Sequence, residues 1–354
     1  MHRILVINPG STSSKVAVYH DEAEASGARI EHAHDEIARH THVTDQYPFR
    51  RDAVLGFLAE AGLRPAELSA VVGRGGMLRP IPSGTYGVNE RMLAELREPG
   101  EREHVSNLGA LIAHEIATRA GCPAYVADPV SVDEFPPIAR VAGLPGFERR
   151  SLSHALNQKA AARRAAAALG ARYQDVNLVV AHLGGGISVS AHERGRMVDV
   201  NQGLDGTGPF SPERAGGLPI GDVMRMSYSG RYTYEELFRL VTRRGGLLAH
   251  LGTNDAREVE RRIAAGDEHA RLIYEAMAYQ IAKEIGLMAT VLCGDVQAVV
   301  LTGGLAHSEM LVGWIEARVG WIAPLSVFPG EQEMLALAQG ALRVLRGQEQ
   351  AKEY

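Results

Sequence analysis

Two strand–turn–strand segments, about half a chain apart, constrain the fold of this 354-residue sequence more than any other feature. The first, residues 4–19, reads ILVINPGSTSSKVAVY, and the second, residues 177–195, reads NLVVAHLGGGISVSAHERG. In both, an apolar run leads into a turn of small residues and then into a second strand. Duplication into two similar domains accounts for this echo, and a chance likeness of two hairpins is the alternative. The Pro- and Gly-rich residues 141–148 are the natural boundary between the domains.

Strand and helix patterns alternate along the chain, which predicts an α/β fold. The predicted strands cover residues 4–8, 16–20, 70–73, 124–127, 178–183, 187–192, 197–200, 298–302 and 325–328. The predicted helices cover residues 52–62, 89–97, 108–120, 157–169, 234–242, 256–264, 269–292 and 332–346.

Composition excludes several classes of protein. The net charge of −5 argues against a sequence-independent grip on nucleic acid. No apolar run approaches the roughly 20 residues that span a bilayer, so we expect no membrane partner. The first strand pattern begins too early to leave room for a signal peptide, which predicts a cytoplasmic protein. Cys122 and Cys293 have no zinc-site spacing and are expected to be buried core thiols.

The two turns are candidate phosphate-binding elements. The opening turn offers clustered backbone N–H groups and hydroxyls, and Asn8 and Lys15 flank it with an amide and a positive charge. An ordinary Ser-rich hairpin is the alternative interpretation. The second turn lets backbone approach a ligand closely because it has no side chains. The small polar residues of the opening turn are Gly10, Ser11, Thr12, Ser13 and Ser14, and those of the second turn are Gly184, Gly185 and Gly186.

Familiar nucleotide-binding signatures are missing. The sequence contains no GxxxxGK[ST] motif and no HRD or DFG set, which excludes a P-loop site and a protein-kinase fold.

Polar residues follow several predicted strands. Asp128 comes after an apolar strand, where α/β proteins bind ligands, although a turn-capping Asp is the alternative. Arg74 is either a surface charge or a residue whose forked guanidinium binds a carboxylate or a phosphoryl group. His154 lies before a helix, and a structural role is its alternative.

Later in the chain, His182 precedes the second turn and Arg214 lies in another Gly/Pro loop. Glu333 opens the last helix pattern, as a first-turn carboxylate or as a metal ligand. Gly303 and Gly304 follow a buried strand, where a flat ligand such as adenine could lie against backbone, or where the chain merely turns into a helix.

Taken together, these motifs resemble the acetate/butyrate kinase (acetokinase) family, over nearly the whole chain. The butyrate kinase branch, also called branched-chain carboxylic acid kinase, is the most similar in motif. The motifs that carry the resemblance are INPGSTS, VVGRGG, DPVSVDE, HALNQKA, AHLGGG, NQGLDGTGPFSPERAG, LTGGLA and PGEQEMLALAQGALRVLRG. The acetate kinase branch has a second His four residues after the position of His154, where this chain has Gln158.

The resemblance implies a duplicated actin-like (ribonuclease-H-like) α/β fold with a nucleotide cleft between its domains. Residues 1–148 would form the phosphoryl and substrate side and residues 149–333 the nucleotide side, with a helix at 334–354 packing back onto the first. It also implies a homo-oligomer. The implied reaction is the reversible, ATP-dependent phosphorylation of butanoate or isobutanoate to its acyl phosphate, with Mg²⁺.

Site roles follow from the resemblance, position by position. Asn8 and residues Ser11, Thr12, Ser13 and Lys15 would contact the phosphoryl group or Mg²⁺. Asp128 and Glu333 would hold Mg²⁺, partly through water. Arg74 and Arg214 would clamp the carboxylate and the phosphoryl group, and His154 would stabilise the phosphoryl oxygens. His182 with Gly184, Gly185 and Gly186 would face the ATP phosphates, and Gly303 and Gly304 would line the adenosine pocket.

Two other functions are compatible with the same motifs. One is a non-catalytic or regulatory actin-like ATP-binding protein, which would need neither Arg74 nor His154. The other is a kinase of the same fold that phosphorylates a sugar-type hydroxyl.

Overall fold

The computed structural model describes residues 1–98, 100, 103–204 and 206–354 of the chain. They form two compact units, one of residues 1–132 and 332–354 and the other of residues 133–331. The first division lies before the boundary expected near residue 148. The reason is local, because Arg140 pairs with Asp133 and Arg149 pairs with Asp199, which tie the intervening segment to the second unit.

The first unit is built on a mixed sheet of six strands in the order β3-β2-β1-β4-β6-β5. β1, β4 and β6 are parallel, whereas β2 and β3 continue from β1 as an antiparallel meander. The strands are β1 (Arg3–Pro9), β2 (Ser13–His20), β3 (Ala23–Glu31), β4 (Ala70–Gly73), β5 (Thr85–Gly87) and β6 (Ala124–Ala127). The helices are α1 (His34–Ala38), α2 (Tyr47–Glu60), α3 (Glu90–Arg97), α4 (Asn107–Ala120) and, from the end of the chain, α13 (Glu333–Leu345).

The apolar runs of this sheet are continuous because helices cover both of its faces. Residues 4–7 of β1 are fully buried, and α13 and α4 both contact β1, β4 and β6. This packing brings α13 to the same sheet as β1, and its first residue, Glu333, lies near the carboxyl ends of the parallel strands.

The second unit repeats the arrangement, with the strand order β9-β8-β7-β10-β11. β7, β10 and β11 are parallel, and β8 and β9 form the antiparallel meander. The strands are β7 (Asn177–Leu183), β8 (Ile187–Glu193), β9 (Arg196–Val200), β10 (Ala298–Gly303) and β11 (Leu325–Pro329). The helices are α5 (Pro137–Arg140), α6 (Ala155–Ala168), α7 (Ile220–Ser227), α8 (Tyr234–Arg243), α9 (Gly246–Leu251), α10 (Ala256–Ala264), α11 (Glu268–Val291) and α12 (Glu309–Val319).

A long helix, α11, provides much of the second core. Tyr274, Met277, Ile281, Ile285 and Met288 are all fully buried and follow one another at three- and four-residue steps. This spacing forms one apolar stripe on the helix, which packs on β7 and β8.

The shared topology agrees with the predicted duplication. In each unit the meander β3-β2-β1 or β9-β8-β7 is followed by two parallel strands, so the two hairpin turns occupy equivalent places. The predicted α/β class is therefore confirmed. The strands at 70–73 and 124–127 have their predicted bounds.

Several elements were not predicted. β3 reads AEASGARIE and is mostly exposed, so it lacks the apolar alternation that signals a strand.

The prediction of two buried cysteines is wrong for Cys293, which is exposed, whereas Cys122 is partly buried. Cys293 follows the end of α11 at a φ of 55°. Among the described residues, no helix combines the length and the apolar character that crossing a bilayer requires.

Candidate active site

Three predicted residues of the first unit meet at the carboxyl edge of its parallel strands. Asn8 lies near the end of β1, Arg74 directly follows β4, and Glu333 opens α13. The Asn8 amide donates to Oε2 of Glu333 at 2.8 Å, and the Arg74 guanidinium pairs with Oε1 of the same carboxylate. The sequence separation of Arg74 and Glu333 is 259 residues, so the fold alone creates this pair.

Asp128 directly follows the neighbouring strand β6, at the same edge of the sheet. Its Oδ1 accepts from the Ser83 hydroxyl at 2.6 Å and from the Gly84 N–H at 2.9 Å. Asp128 directly precedes Pro129, and its φ of 38° is rare for a residue with a side chain. Strained backbone of this kind persists where surrounding contacts fix it, and it is common at functional sites.

The opening turn is fixed from within the first unit. The Gly10 N–H donates to the Ser13 carbonyl at 2.7 Å, and the Thr12 carbonyl accepts from the His32 N–H at 2.9 Å. Ser11, Thr12 and Lys15 are exposed, whereas Ser13 and Ser14 are buried. The turn therefore presents the side chains of its first half to solvent.

Two histidines of the second unit lie against each other. The rings of His154 and His182 stack with their centroids 4.1 Å apart. Nδ1 of His154 shares a hydrogen bond of 2.9 Å with the Ser188 hydroxyl, and Nε2 of His182 lies 3.3 Å from Oε1 of Glu331. His182 is 1% exposed, and within the described part of the chain its Nδ1 has no partner.

The glycine turn, residues 184–186, lies between this histidine pair and an arginine. A Cβ at Gly184 would lie 3.2 Å from Nε2 of His182, and one at Gly186 would overlap Nη1 of Arg214. Arg214 donates to the Gly203 carbonyl, and burial lowers the pKa of its guanidinium, although Glu213 opposes the shift. The predicted His182, Gly184, Gly186 and Arg214 are thus brought together.

Gly303 and Gly304 form the exit from β10. Gly303 has a φ of 92° and exchanges backbone hydrogen bonds with Gly330, at 3.1 Å and 3.0 Å. A Cβ on Gly303 would overlap the carbonyl of Leu183, whereas Gly304 has open space around it among the described residues. Gly303 is therefore required by the backbone, and Gly304 leaves room for a ligand.

Several polar residues at these places were missed by sequence reasoning. Arg50 lies under the opening turn. Burial, and then the nearby Arg74 guanidinium, lower the pKa of His104. Glu331 and Ser188 contact the two stacked histidines. Arg50 and His104 come from stretches with no motif of their own, so the fold alone places them here. Glu331 lies in the PGEQEMLALA segment and Ser188 in the second hairpin, where neither residue was singled out.

Comparison with known proteins adds an independent observation. Residues 148–315 match the model of the acetokinase family. This acetokinase-like segment contains His154, His182, the glycine turn, Arg214 and Gly303.

Solved structures are similar over almost the full length. The acetate kinase of Porphyromonas gingivalis matches with a TM-score of 0.78 at 19% identity, over 98% of this chain and 100% of that one. A propionate kinase from Francisella tularensis subsp. tularensis SCHU S4 gives 0.76 at 19% identity, over 96% and 99%. A ROK family protein from Streptococcus pneumoniae TIGR4, in complex with sucrose, gives 0.52 at 12% identity, over 98% and 100%. The chain thus has the duplicated, actin-like α/β fold.

The donor chemistry of the first unit suits a hard cation. Asn8, Asp128 and Glu333 offer amide and carboxylate oxygens, the ligands that Mg²⁺ prefers. Both oxygens of Glu333 already accept hydrogen bonds, from Asn8 and Arg74, which fits a contact through water better than a direct one. Among the described residues there is no group of three or more His, Cys, Asp or Glu side chains placed around one point. The residues present therefore fit a partly hydrated Mg²⁺ and do not form a closed metal cage.

Proposed function

We propose that this chain transfers the terminal phosphoryl group of ATP to a short-chain carboxylate, butanoate or isobutanoate, and that the reaction is reversible. A carboxylate oxygen forms a bond to the γ-phosphorus, the bond from that phosphorus to the β–γ bridging oxygen breaks, and ADP leaves. The observation that carries the proposal is the acetokinase match over residues 148–315, which contains the stacked histidines, Arg214 and the glycine turn.

The acceptor chemistry suits the side chains on this edge of the first unit. A carboxylic acid has a pKa near roughly 4–5, as Asp and Glu do, and is ionised at neutral pH. The acceptor needs no general base, so Asp128, whose Oδ1 accepts from Ser83 and Gly84, is available to orient a metal ion. The remaining difficulty is repulsion between anions, which cationic groups and N–H donors offset.

Each cluster then has a role in the proposal. Arg74 neutralises the approaching carboxylate, with Glu333 fixing the direction of its guanidinium. Mg²⁺, when bound at Asn8 and Asp128, would supply positive charge against the phosphoryl oxygens. His154, oriented by Ser188, donates to phosphoryl oxygens, which Arg214 also binds from beside the glycine turn. His182 and the glycine turn face the ATP phosphates. Gly304 borders the space for adenosine.

Preference for a four-carbon acid rests on the butyrate-kinase-like motifs, among them Gln158. Its Nε2 donates to the Ser188 carbonyl at 2.8 Å and to the Ser188 hydroxyl at 2.9 Å, and the side chain is fully buried. Ser188 also contacts His154, so Gln158 supports the one histidine of this loop. Discrimination among acids by tail length is worth only about 1–3 kcal/mol per methylene, so we expect graded activity across neighbouring acids.

A hydroxylamine-trapping assay tests the proposal. The purified chain is incubated with ATP, Mg²⁺ and each acid from C2 to C5, and acyl phosphate is read as hydroxamate. We expect the highest kcat/KM with butanoate or isobutanoate. Glucose and glycerol, followed by ADP release, serve as hydroxyl acceptors in parallel. Phosphorylation of an alcohol without any hydroxamate would establish the sugar-type alternative, and neither product would favour a non-catalytic ATP-binding role.

A homo-oligomer and a cytoplasmic location stay predictions. Light scattering coupled to gel filtration measures the mass of the particle, and the resemblance implies more than one copy of the 38.1 kDa chain.

A further inference from the structure

A buried guanidinium lies beneath the opening turn. Arg50, in α2, is 0% exposed. It donates to the carbonyls of Gly10 at 2.9 Å, Ser11 at 3.1 Å and Ser13 at 3.4 Å. The Ser14 hydroxyl at 3.2 Å and the Gln46 side-chain oxygen at 3.0 Å complete the set.

None of these five partners carries a charge. Within the described part of the chain, no carboxylate pairs with Arg50. Burying an ion without a counterion is costly, and hydrogen bonds to neutral oxygens offset only part of that cost. Burial lowers the pKa of Arg50 to about 10, so the group stays protonated at neutral pH. The first unit therefore retains an uncompensated positive charge directly behind the turn.

The guanidinium also divides the turn into two faces. Arg50 binds the carbonyls of residues 10, 11 and 13, and the His32 N–H binds that of Thr12. The carbonyls of residues 10–13 are thus all engaged by the protein. The N–H groups of Ser11 and Thr12, in contrast, donate to no acceptor among the described residues, and both residues are exposed. Successive free N–H groups of this kind form an anion-binding surface.

We propose that Arg50 is a positioning residue, which holds the opening turn in its phosphate-binding conformation before phosphate arrives and adds its charge behind it. This inference rests on the proposed function, because it takes the turn to be the phosphoryl-binding element. A salt bridge at the same place would hold the turn but would cancel the charge. Among the residues that the structure describes, no carboxylate lies at this position, which distinguishes a device for binding anions from an ordinary structural anchor.

The neighbouring arginine provides a matched control. Arg51 is on the same helix but pairs with Asp52 and Glu115 at the surface. Arg50→Met removes the charge and the hydrogen bonds but keeps a side chain of similar length. Arg50→Lys keeps the charge, with fewer donors in a different geometry. Arg51→Met removes an equal charge at a neighbouring position.

Two measurements apply to all of these chains. In the hydroxamate assay we expect Arg50→Met to lower kcat about 100-fold, the loss that misplacement of reacting groups by about 1 Å causes, with KM for the carboxylate unchanged. Arg50→Lys should lie between Arg50→Met and the wild type, and Arg51→Met should match the wild type. The second measurement is hydrogen exchange. Inorganic phosphate at about 50 mM should slow the exchange of the Ser11 and Thr12 amide protons in the wild type and in Arg51→Met, but not in Arg50→Met.

The outcomes separate this inference from the proposed function. Hydroxamate formation by Arg50→Met at the wild-type kcat, or equal phosphate protection in both methionine variants, would overturn the role of Arg50 while the carboxylate kinase stands. If no chain forms hydroxamate, but phosphate protects the two amides in the wild type and Arg51→Met and not in Arg50→Met, the proposed reaction would be overturned and the role of Arg50 supported. If Arg50→Met does not fold, Arg50→Lys carries the test, and full activity with full protection in that variant would contradict positioning by the forked guanidinium.

Discussion

The opening turn, residues 10–14, and the glycine turn, residues 184–186, occupy equivalent places in the two sheets but are supported differently. Behind the opening turn lies the buried guanidinium of Arg50, which binds its carbonyls. Against the glycine turn lies the Arg214 guanidinium, so close that Gly186 has no room for a Cβ. One turn is shaped by side chains, and the other by the lack of them.

This difference shows how a duplicated hairpin can diverge. The first unit collects charged groups at its sheet edge, with Arg74 and Glu333 paired beside Asn8. The second unit collects glycines and imidazole rings, with His154 stacked on His182. We therefore expect the first half to be sensitive to the loss of a side chain, and the second to the gain of a methyl group.

Arg74→Gln should have the largest effect. The substitution removes the cation that faces the acceptor carboxylate and the ion pair with Glu333. The hydrogen bond from the Asn8 amide to Glu333 is kept. Loss of one preorganised electrostatic contact to the transition state costs about 10²–10³-fold in kcat, and we expect a loss of that size in the hydroxamate assay. Arg91→Gln, an exposed arginine of α3, is the charge-matched control. If the two variants were equally active, the side-chain account of the first half would fail.

Gly303→Ala should come next, as a loss of stability. A φ of 92° strains any residue with a side chain, and the new Cβ would overlap the Leu183 carbonyl. We expect the free energy of unfolding, measured by urea titration, to fall by about 2–3 kcal/mol.

Gly304→Ala is the control for this effect. Gly304 has open space around it in the described part of the chain and no positive φ, so stability should change by less than about 0.5 kcal/mol. Its methyl group should instead raise KM for ATP. Equal destabilisation by the two alanines would mean that the Gly303 conformation is not a constraint.

Gly186→Ala should have a smaller effect, on activity rather than stability. The clashing atoms are the far end of the Arg214 side chain, which can move aside. Displacement of that guanidinium from the glycine turn should lower kcat/KM about 10-fold, or about 1.4 kcal/mol of transition-state stabilisation. Gly185→Ala, with open space around it among the described residues, should leave unfolding unaffected and keep Arg214 in place. Greater loss in Gly185→Ala than in Gly186→Ala would contradict the role of Arg214.

The fold was predictable from sequence where patterns are local. Short apolar runs between turn residues predict fully buried strands such as β4. The similarity of the two hairpin sequences predicted the duplication. β3 could not be found this way, because an exposed edge strand needs no apolar face. Among the described strands it pairs with β2, a contact set by tertiary structure.

The site was predictable only in part, for the same reason. Sequence placed Asn8 at the end of one strand and Arg74 directly after another, and the sheet then brought Glu333 to them from the end of the chain. Arg50 and Arg51 stand side by side in YPFRRD, yet one is fully buried and the other is paired at the surface. No local pattern separates them, since burial of an arginine depends on what the rest of the fold places over it.

The smallest effect concerns pH and the opening turn. Nε2 of His32 lies 2.9 Å from the Ser14 hydroxyl, and partial burial, with help from Arg50 and against Glu31, lowers the pKa of its ring. The folded chain therefore binds a proton at His32 less readily than the unfolded chain does. The stabilisation of the fold by a neutral His32 is complete above the ordinary His pKa of about 6.5 and is lost as pH falls through the lowered pKa of the folded chain. His32→Gln keeps a hydrogen-bonding group but does not titrate, and His42→Gln changes an exposed side chain instead. Thermal unfolding at pH 7.5 and pH 5.5 (about one unit on either side of that value) should show a smaller loss of stability on acidification for His32→Gln than for the wild type and His42→Gln. The same loss in all three would mean that the hydrogen bonds of the opening turn do not depend on a neutral His32.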